Sequence, residues 1–196
     1  MGKSKYLNEL LGNGTSTSQA KEYEGMAIGD DLIKKYIPNA NIIVNSDLVR
    51  YSSIEQVLPK PMDFAFILYQ HSKNVGHWIL LSRYGKTIEY FDSYGGHIDK
   101  PLDWINDSTE KSLGEAPYLS ELLNNASSKY DVIYNAYPFQ NTSKDIATCG
   151  RWDVLRVKTI KEDGLGLSDF IDMLKAIKAK TKLSYDNIVS DLINGI

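Results

Sequence analysis

Gly76-His77-Trp78-Ile79-Leu80-Leu81-Ser82-Arg83-Tyr84-Gly85-Lys86-Thr87-Ile88-Glu89-Tyr90-Phe91-Asp92 reads as two strands joined at Tyr84-Gly85-Lys86. β-Branched and aromatic residues fill both arms, and glycine marks the turn. A turn centred on Gly85 sets residue 77 opposite residue 92 or 93, so register alone brings Asp92 or Ser93 beside His77. A carboxylate in that place fixes an imidazole tautomer and stabilises imidazolium. Without the hairpin, Asp92 is an ordinary turn aspartate ahead of Ser93-Tyr94-Gly95-Gly96. The other two histidines, His71 and His97, lie in loop-like surroundings.

The same reading extends outward. Asp63–Tyr69 is nearly all apolar, as for a strand buried on both faces. Ile42-Ile43-Val44 and Tyr130–Ala136 supply further strands. Helices are expected from Asp30 or Asp31 to Tyr36, stopped by Pro38, and from a capping box at Ser52-Ser53-Ile54-Glu55 to Leu58. Others are expected at Pro117–Ala126, Arg151–Ile160, Ser168–Lys180 with Ser168 as cap, and Ser184–Ile193. Strands in the centre with helices around them give an α+β domain. At the start, residues 4–11 read as a short amphipathic helix and Gly12 to Ser18 as a flexible linker. The expected division is an N-terminal helix and arm over residues 1–20, then one domain over 21–196.

Bulk properties narrow the function classes. With 196 residues, 42% hydrophobic and 24% charged, the chain is long enough for a real core and has ordinary globular composition. A net charge of −3 argues against a general nucleic-acid binder. The single cysteine excludes an intramolecular disulfide and points to a reducing compartment. Met1-Gly2-Lys3-Ser4-Lys5 is not followed by the apolar stretch of a signal peptide, and the longest apolar run, Ala65–Tyr69, is far short of a membrane span. No metal, cofactor or membrane is expected.

That cysteine, Cys149, sits in Ala147-Thr148-Cys149-Gly150-Arg151-Trp152, at the expected start of a helix. The helix dipole and unpaired backbone N–H groups favour an anion there, and a neighbouring histidine lowers a thiol pKa further. Gln140, nine residues earlier, has a side-chain N–H that can donate to an oxyanion together with the Cys149 backbone N–H. A lone buried cysteine is as often a small hydrophobe, and a loop glutamine is usually just polar. The order histidine, aspartate, glutamine, cysteine is what turns His77, Asp92, Gln140 and Cys149 into a base, an orienter, an oxyanion donor and a nucleophile. Trp78 is the candidate wall of a substrate cleft.

Gly76-His77-Trp78, Tyr90-Phe91-Asp92-Ser93, Gln140 and Thr148-Cys149-Gly150, taken in order, resemble the adenain-like cysteine proteases, the clan of adenovirus endopeptidase and the SUMO-specific proteases. Within the clan the chain is most similar to viral maturation proteases, including those of virophages and large DNA viruses. The resemblance implies a papain-like core in circularly permuted order with a central, mostly antiparallel sheet. It also implies the four catalytic roles given above. The expected activity is endoproteolysis of viral capsid or other structural precursors through a thioester, after small residues such as Gly-Gly. A monomer in the virion and host cytoplasm is expected, and a nucleic-acid activator is left open. The alternatives are an isopeptidase for a ubiquitin-like protein, a same-clan acetyltransferase and a silent binding module. Two features depart from the best-known members. The Gln140–Cys149 spacing is slightly long, which adds a loop, and a disulfide-tethered activating peptide would consume the nucleophile.

Overall fold

A computed structural model of the chain describes residues 17–194. The expected helix at residues 4–11 and most of the expected linker lie outside the described residues. Residues 17 and 18 belong instead to helix α1 (Thr17–Glu24). The chain forms two compact units: Ile37–Pro138, and the flanking segments that end at Tyr36 and resume at Phe139.

The Ile37–Pro138 unit is built on a five-stranded sheet whose order follows the chain: β1 (Asn41–Val44), β2 (Phe64–Ser72), β3 (Val75–Tyr84), β4 (Thr87–Phe91) and β5 (Asp131–Tyr134). The long central pairings β2–β3 and β3–β4 are antiparallel, and the short outer pairings β1–β2 and β4–β5 are parallel. The expected mostly antiparallel sheet flanked by helices is what forms. β2 is buried from Ala65 to Gln70, alternate residues going to opposite faces, which explains its unbroken apolar run. One face gathers Ile43, Ile67, Tyr69, Ile79, Leu81, Ile88 and Tyr90. Against it pack Ile54 and Val57 of α3 (Ile54–Val57) and Leu119, Leu122 and Leu123 of α5 (Tyr118–Ala126). Each fully buried aliphatic side chain contributes about 1.5–3 kcal/mol.

The capping box expected before α3 takes another form. The Ser53 side chain makes no cap bond, and Gln56 Oε1 accepts from Ser52 N at 2.8 Å. Between β4 and α5 the chain also contains a 3₁₀ turn, Lys100–Trp104, and helix α4 (Asp107–Leu113), neither of which the apolar pattern announced. α4 has no buried residue, so it carries no hydrophobic stripe to read.

The second unit is helical: α1, α2 (Asp30–Tyr36), α6 (Cys149–Asp163), α7 (Leu167–Thr181) and α8 (Tyr185–Asn194). α6 packs against α2 and α8. It is buried almost all round from Cys149 to Val157, charged Arg151, Asp153 and Arg156 included. Arg156 donates to Leu165 O at 2.9 Å and lies over the Phe170 ring. α7 begins one residue before the expected Ser168, with Gly166 as its cap. Ser184 caps α8, its Oγ accepting from Asn187 N at 3.0 Å.

The site-bearing end of the hairpin depends on Gly76. A Cβ there would lie 1.8 Å from Tyr69 O and 2.7 Å from its carbonyl carbon, both backbone atoms of the paired strand. No rotamer change relieves such a clash. Gly76→Ala is expected to lower the unfolding free energy by about 1–3 kcal/mol, the usual range for forced overpacking. Urea denaturation of the variant beside the parent chain measures it.

Candidate active site

Register is where the hairpin differs from expectation. Tyr84 pairs with Thr87 and Leu80 with Phe91, so the loop is Gly85-Lys86 and the pairing is shifted by one residue. Continued past Phe91, this register sets Asp92 across from Ile79 rather than His77. His77 lies two residues away on the same face, a diagonal neighbour within side-chain reach. The contact forms: His77 Nε2 and Asp92 Oδ1 are 2.9 Å apart.

Asp92 is wholly buried and His77 is 9% exposed. A buried carboxylate needs partners; Asp92 Oδ1 has two, and the buried Oδ2 accepts no hydrogen bond among the described residues. Oδ1 also accepts from Tyr94 N at 2.9 Å, while its backbone carbonyl accepts from Gly95 N at 2.8 Å and Asn135 Nδ2 at 2.8 Å. Gly95 has φ +73, and a Cβ there would lie 2.8 Å from Tyr137 C and Pro138 N, so glycine is required where the chain turns under the carboxylate. Tyr94 stacks on the imidazole at 4.9 Å and 26°, and Trp104 meets it edge-on at 5.5 Å and 79°. The two rings also meet each other at 5.2 Å. They hold the imidazole plane.

Trp78 does not take the place expected for a cleft wall. It is 6% exposed and, by strand alternation, points to the opposite sheet face from His77, so it offers little surface to a peptide. Trp104, half-exposed at 50%, is the tryptophan against the imidazole. Nothing in the spacing marked Trp104: it lies in the 3₁₀ turn, 27 residues beyond His77.

Cys149 and Gln140 lie in the helical unit, at the two ends of one loop. Cys149 is the first residue of α6, as expected, and is 9% exposed. Gln140 is 5% exposed. Phe139 beside it is anchored among aromatic rings, stacked on Trp152 at 5.0 Å and edge-on to Tyr185 at 5.4 Å and Phe170 at 5.7 Å. Arg151, 1% exposed, donates to Met26 O. Burial pushes its pKa down, while the negative charges available on Tyr36, Cys149 and Tyr23 pull it up. Cys149 thus stands at a helix N-terminus, within electrostatic range of a buried arginine. Thr148 does not cap α6 with its side chain, and its hydroxyl goes to Asp186 instead. Among the described residues no group of three or more His, Cys, Asp or Glu could hold a metal ion, and no helix is long and apolar enough to cross a membrane.

No family model matches the chain. The uncharacterized protein V9 of Sputnik virophage is 38% identical over 142 residues, which cover 71% of this chain and 79% of that protein. Among solved structures, the ASFV pS273R protease matches at TM-score 0.43 with 13% identity, covering 79% of this chain and 58% of that one. This chain thus spans less than two thirds of that protease. The Ulp1 protease domain in complex with Smt3, the yeast SUMO ortholog, matches at TM-score 0.40 and 16% identity, over 90% of this chain and 81% of that one. The central domain of the uncharacterized Lpg1148 protein from Legionella pneumophila matches at TM-score 0.40 and 14% identity, over 86% and 98%. On its sequence identity and coverage, the chain belongs to the family of the virophage protein V9.

Asn135, wholly buried, joins the Asp92 carbonyl to Tyr137 N, which donates to Asn135 Oδ1 at 2.9 Å. Asn135→Ala removes both links and leaves the Asp92 carbonyl with Gly95 N. A loss of about 1–3 kcal/mol is expected in urea unfolding.

Proposed function

We propose that this chain is a cysteine endopeptidase in which His77, Asp92, Gln140 and Cys149 act together. The observation that carries the reading is the His77–Asp92 pair, an imidazole 2.9 Å from a wholly buried carboxylate at a strand end. The matching thiol, at a helix N-terminus beside a buried arginine, supports it from the other unit.

Asp92 engages Nε2, so it selects the tautomer with hydrogen on Nε2 and the lone pair on Nδ1. Nδ1 is then the base. It takes the Cys149 proton, and Sγ attacks the scissile carbonyl carbon. The carbonyl oxygen becomes an oxyanion that accepts from the Gln140 amide and the Cys149 backbone N–H. As the tetrahedral species collapses, imidazolium gives its proton to the departing amine and a thioester remains. Water, deprotonated by His77, attacks the thioester, and the acid leaves while the thiolate is restored. Asp92 holds the ring in place throughout.

The substrate in this reading is a viral structural precursor, a capsid protein above all, cut in a flexible segment after small residues. Membership in a virophage protein's family supports the viral setting. The exposed Trp104 indole beside the imidazole supports the preference for small residues. A peptide backbone running along an aromatic wall is least hindered where it lacks Cβ atoms, which favours glycine before the cut. In this reading the wall role assigned to Trp78 passes to Trp104.

The test is mass spectrometry of proteins cleaved by the parent chain and left intact by Cys149→Ala. His77→Ala is expected to be as severe as Cys149→Ala, because nucleophile and base act as a unit. Asp92→Asn is expected to be milder, and Gln140→Ala to lower kcat by about 10²–10³-fold. Near-normal turnover in Gln140→Ala removes the oxyanion assignment. A peptide-library profile favouring a bulky or charged residue just before the cut removes the wall.

A further inference from the structure

Asp186 is an acid that no step above uses, and it is 3% exposed in the first turn of α8. Its two oxygens have different partners. Oδ2 accepts from Asn141 N at 3.0 Å, and Oδ1 accepts from Thr148 Oγ1 at 2.6 Å. Asn141 follows Gln140, and Thr148 precedes Cys149. One carboxylate therefore ties together the two ends of the loop that separates the proposed oxyanion donor from the proposed nucleophile.

The rest of the loop is tied down by its own bonds. Asn141 Oδ1 accepts from Ser143 N at 2.9 Å, Ile146 N donates to Ser143 O at 3.1 Å, and Ala147 N donates to Glu24 O at 2.6 Å. The Glu24 carboxylate in turn accepts from Asn187 Nδ2 at 2.5 Å and Ser184 Oγ at 3.3 Å, at the start of α8. Burial and the nearby Asp186 push the Glu24 carboxyl pKa up, and its Ser184 and Asn187 bonds pull it back.

From this juxtaposition we infer that Asp186 is a positioning residue, which holds Gln140 and Cys149 at their working separation through Asn141 N–H and the Thr148 hydroxyl. The inference rests on the roles proposed for Gln140 and Cys149. It also accounts for the long Gln140–Cys149 spacing: the added residues form a loop whose two stems meet on one side chain. Burial pushes the Asp186 carboxyl pKa up, and the Thr148 and Asn141 bonds pull it back.

Chemistry distinguishes positioning from mere packing. An ionised carboxylate only accepts, and both its partners are donors. Asparagine can keep both links, its carbonyl oxygen taking Asn141 N–H while its amide donates to a rotated Thr148 hydroxyl. Alanine loses both, and Thr148→Val loses one without changing shape. The experiment measures kcat and KM on a cleaved peptide for Asp186→Ala, Asp186→Asn and Thr148→Val. The rate of Cys149 alkylation by iodoacetamide is followed across pH in the same proteins.

Asp186→Ala is expected to lower kcat by roughly 10²-fold with KM little changed, the scale of an ångström-level misplacement of reacting groups. Asp186→Asn is expected to recover to within about tenfold of the parent, and Thr148→Val to fall between. In Thr148→Val the alkylation profile is expected to move toward the free-thiol value of about 8.5. If Asp186→Ala does not fold, Thr148→Val and its alkylation profile decide. An unchanged kcat and unshifted profile in folded Thr148→Val, or a loss confined to KM, overturns the inference. A parent chain that cleaves nothing overturns the protease reading, and the alkylation comparison then still tests whether Asp186 positions Cys149.

Discussion

A wholly buried carboxylate at a strand end is the constraint around which the site half of the sheet unit is arranged. An isolated ionised Asp in such a place costs several kcal/mol, and partners must offset it. Asp92 Oδ1 meets the His77 ring and the Tyr94 backbone N–H, and its carbonyl meets Gly95 N and Asn135. Those requirements account for details that otherwise look unrelated: the sharp Gly95 turn, the buried asparagine after β5, and the rings of Tyr94 and Trp104 closing on the imidazole. One oxygen, Oδ1, both orients the histidine and holds the Tyr94 backbone, while Oδ2 is buried without a hydrogen bond among the described residues.

The helical unit solves a parallel problem with different parts. α6 begins at Cys149 inside protein rather than in water, so its first turn has little solvent to meet its polar groups. Thr148, which could have capped the helix, gives its hydroxyl to Asp186. The first turn of α6 is thus left without a side-chain cap from Thr148. Phe139, held among Trp152, Phe170 and Tyr185, fixes the other end of the same loop. The strand half holds an imidazole against a carboxylate, and the helix half sets a thiol at a helix N-terminus.

How much of this was legible in the sequence follows from how each feature is encoded. The apolar run of β2, the hairpin and the helical start at Cys149 were readable because periodicity and turn residues are local signals. The hairpin register was off by one because a glycine in a turn does not say whether the loop is centred on it or merely begins with it. The His77–Asp92 contact survived the shift because a diagonal pair on one face is still within reach. α4 and the 3₁₀ turn carrying Trp104 bury no apolar stripe and gave no signal. Trp78 was misplaced because adjacency to His77 in sequence means opposite faces in a strand. The burial of Arg151, Asp153 and Arg156 runs against what charged residues ordinarily do, and only their surroundings in the helical unit make it tolerable.

Sequence separation is what divides the readable from the unreadable parts of the candidate site. His77 and Asp92 are 15 residues apart, and a single hairpin joins them. The supports come from much farther away: Asn135 reaches Asp92 across 43 residues, and Asp186 reaches Thr148 across 38 and Asn141 across 45. A side chain that must act has a type dictated by its chemistry, so a histidine, a cysteine or a glutamine in a suitable local setting can be recognised. A side chain that only holds others in place has no such signature. Asp186 and Asn135 are unremarkable acids and amides until the fold shows what they touch. The residues of the candidate site are therefore carried by short stretches whose geometry is local, and their supports by residues that only tertiary structure brings into contact. A substitution at one of those supports changes no motif, yet it acts on the groups that the motif names.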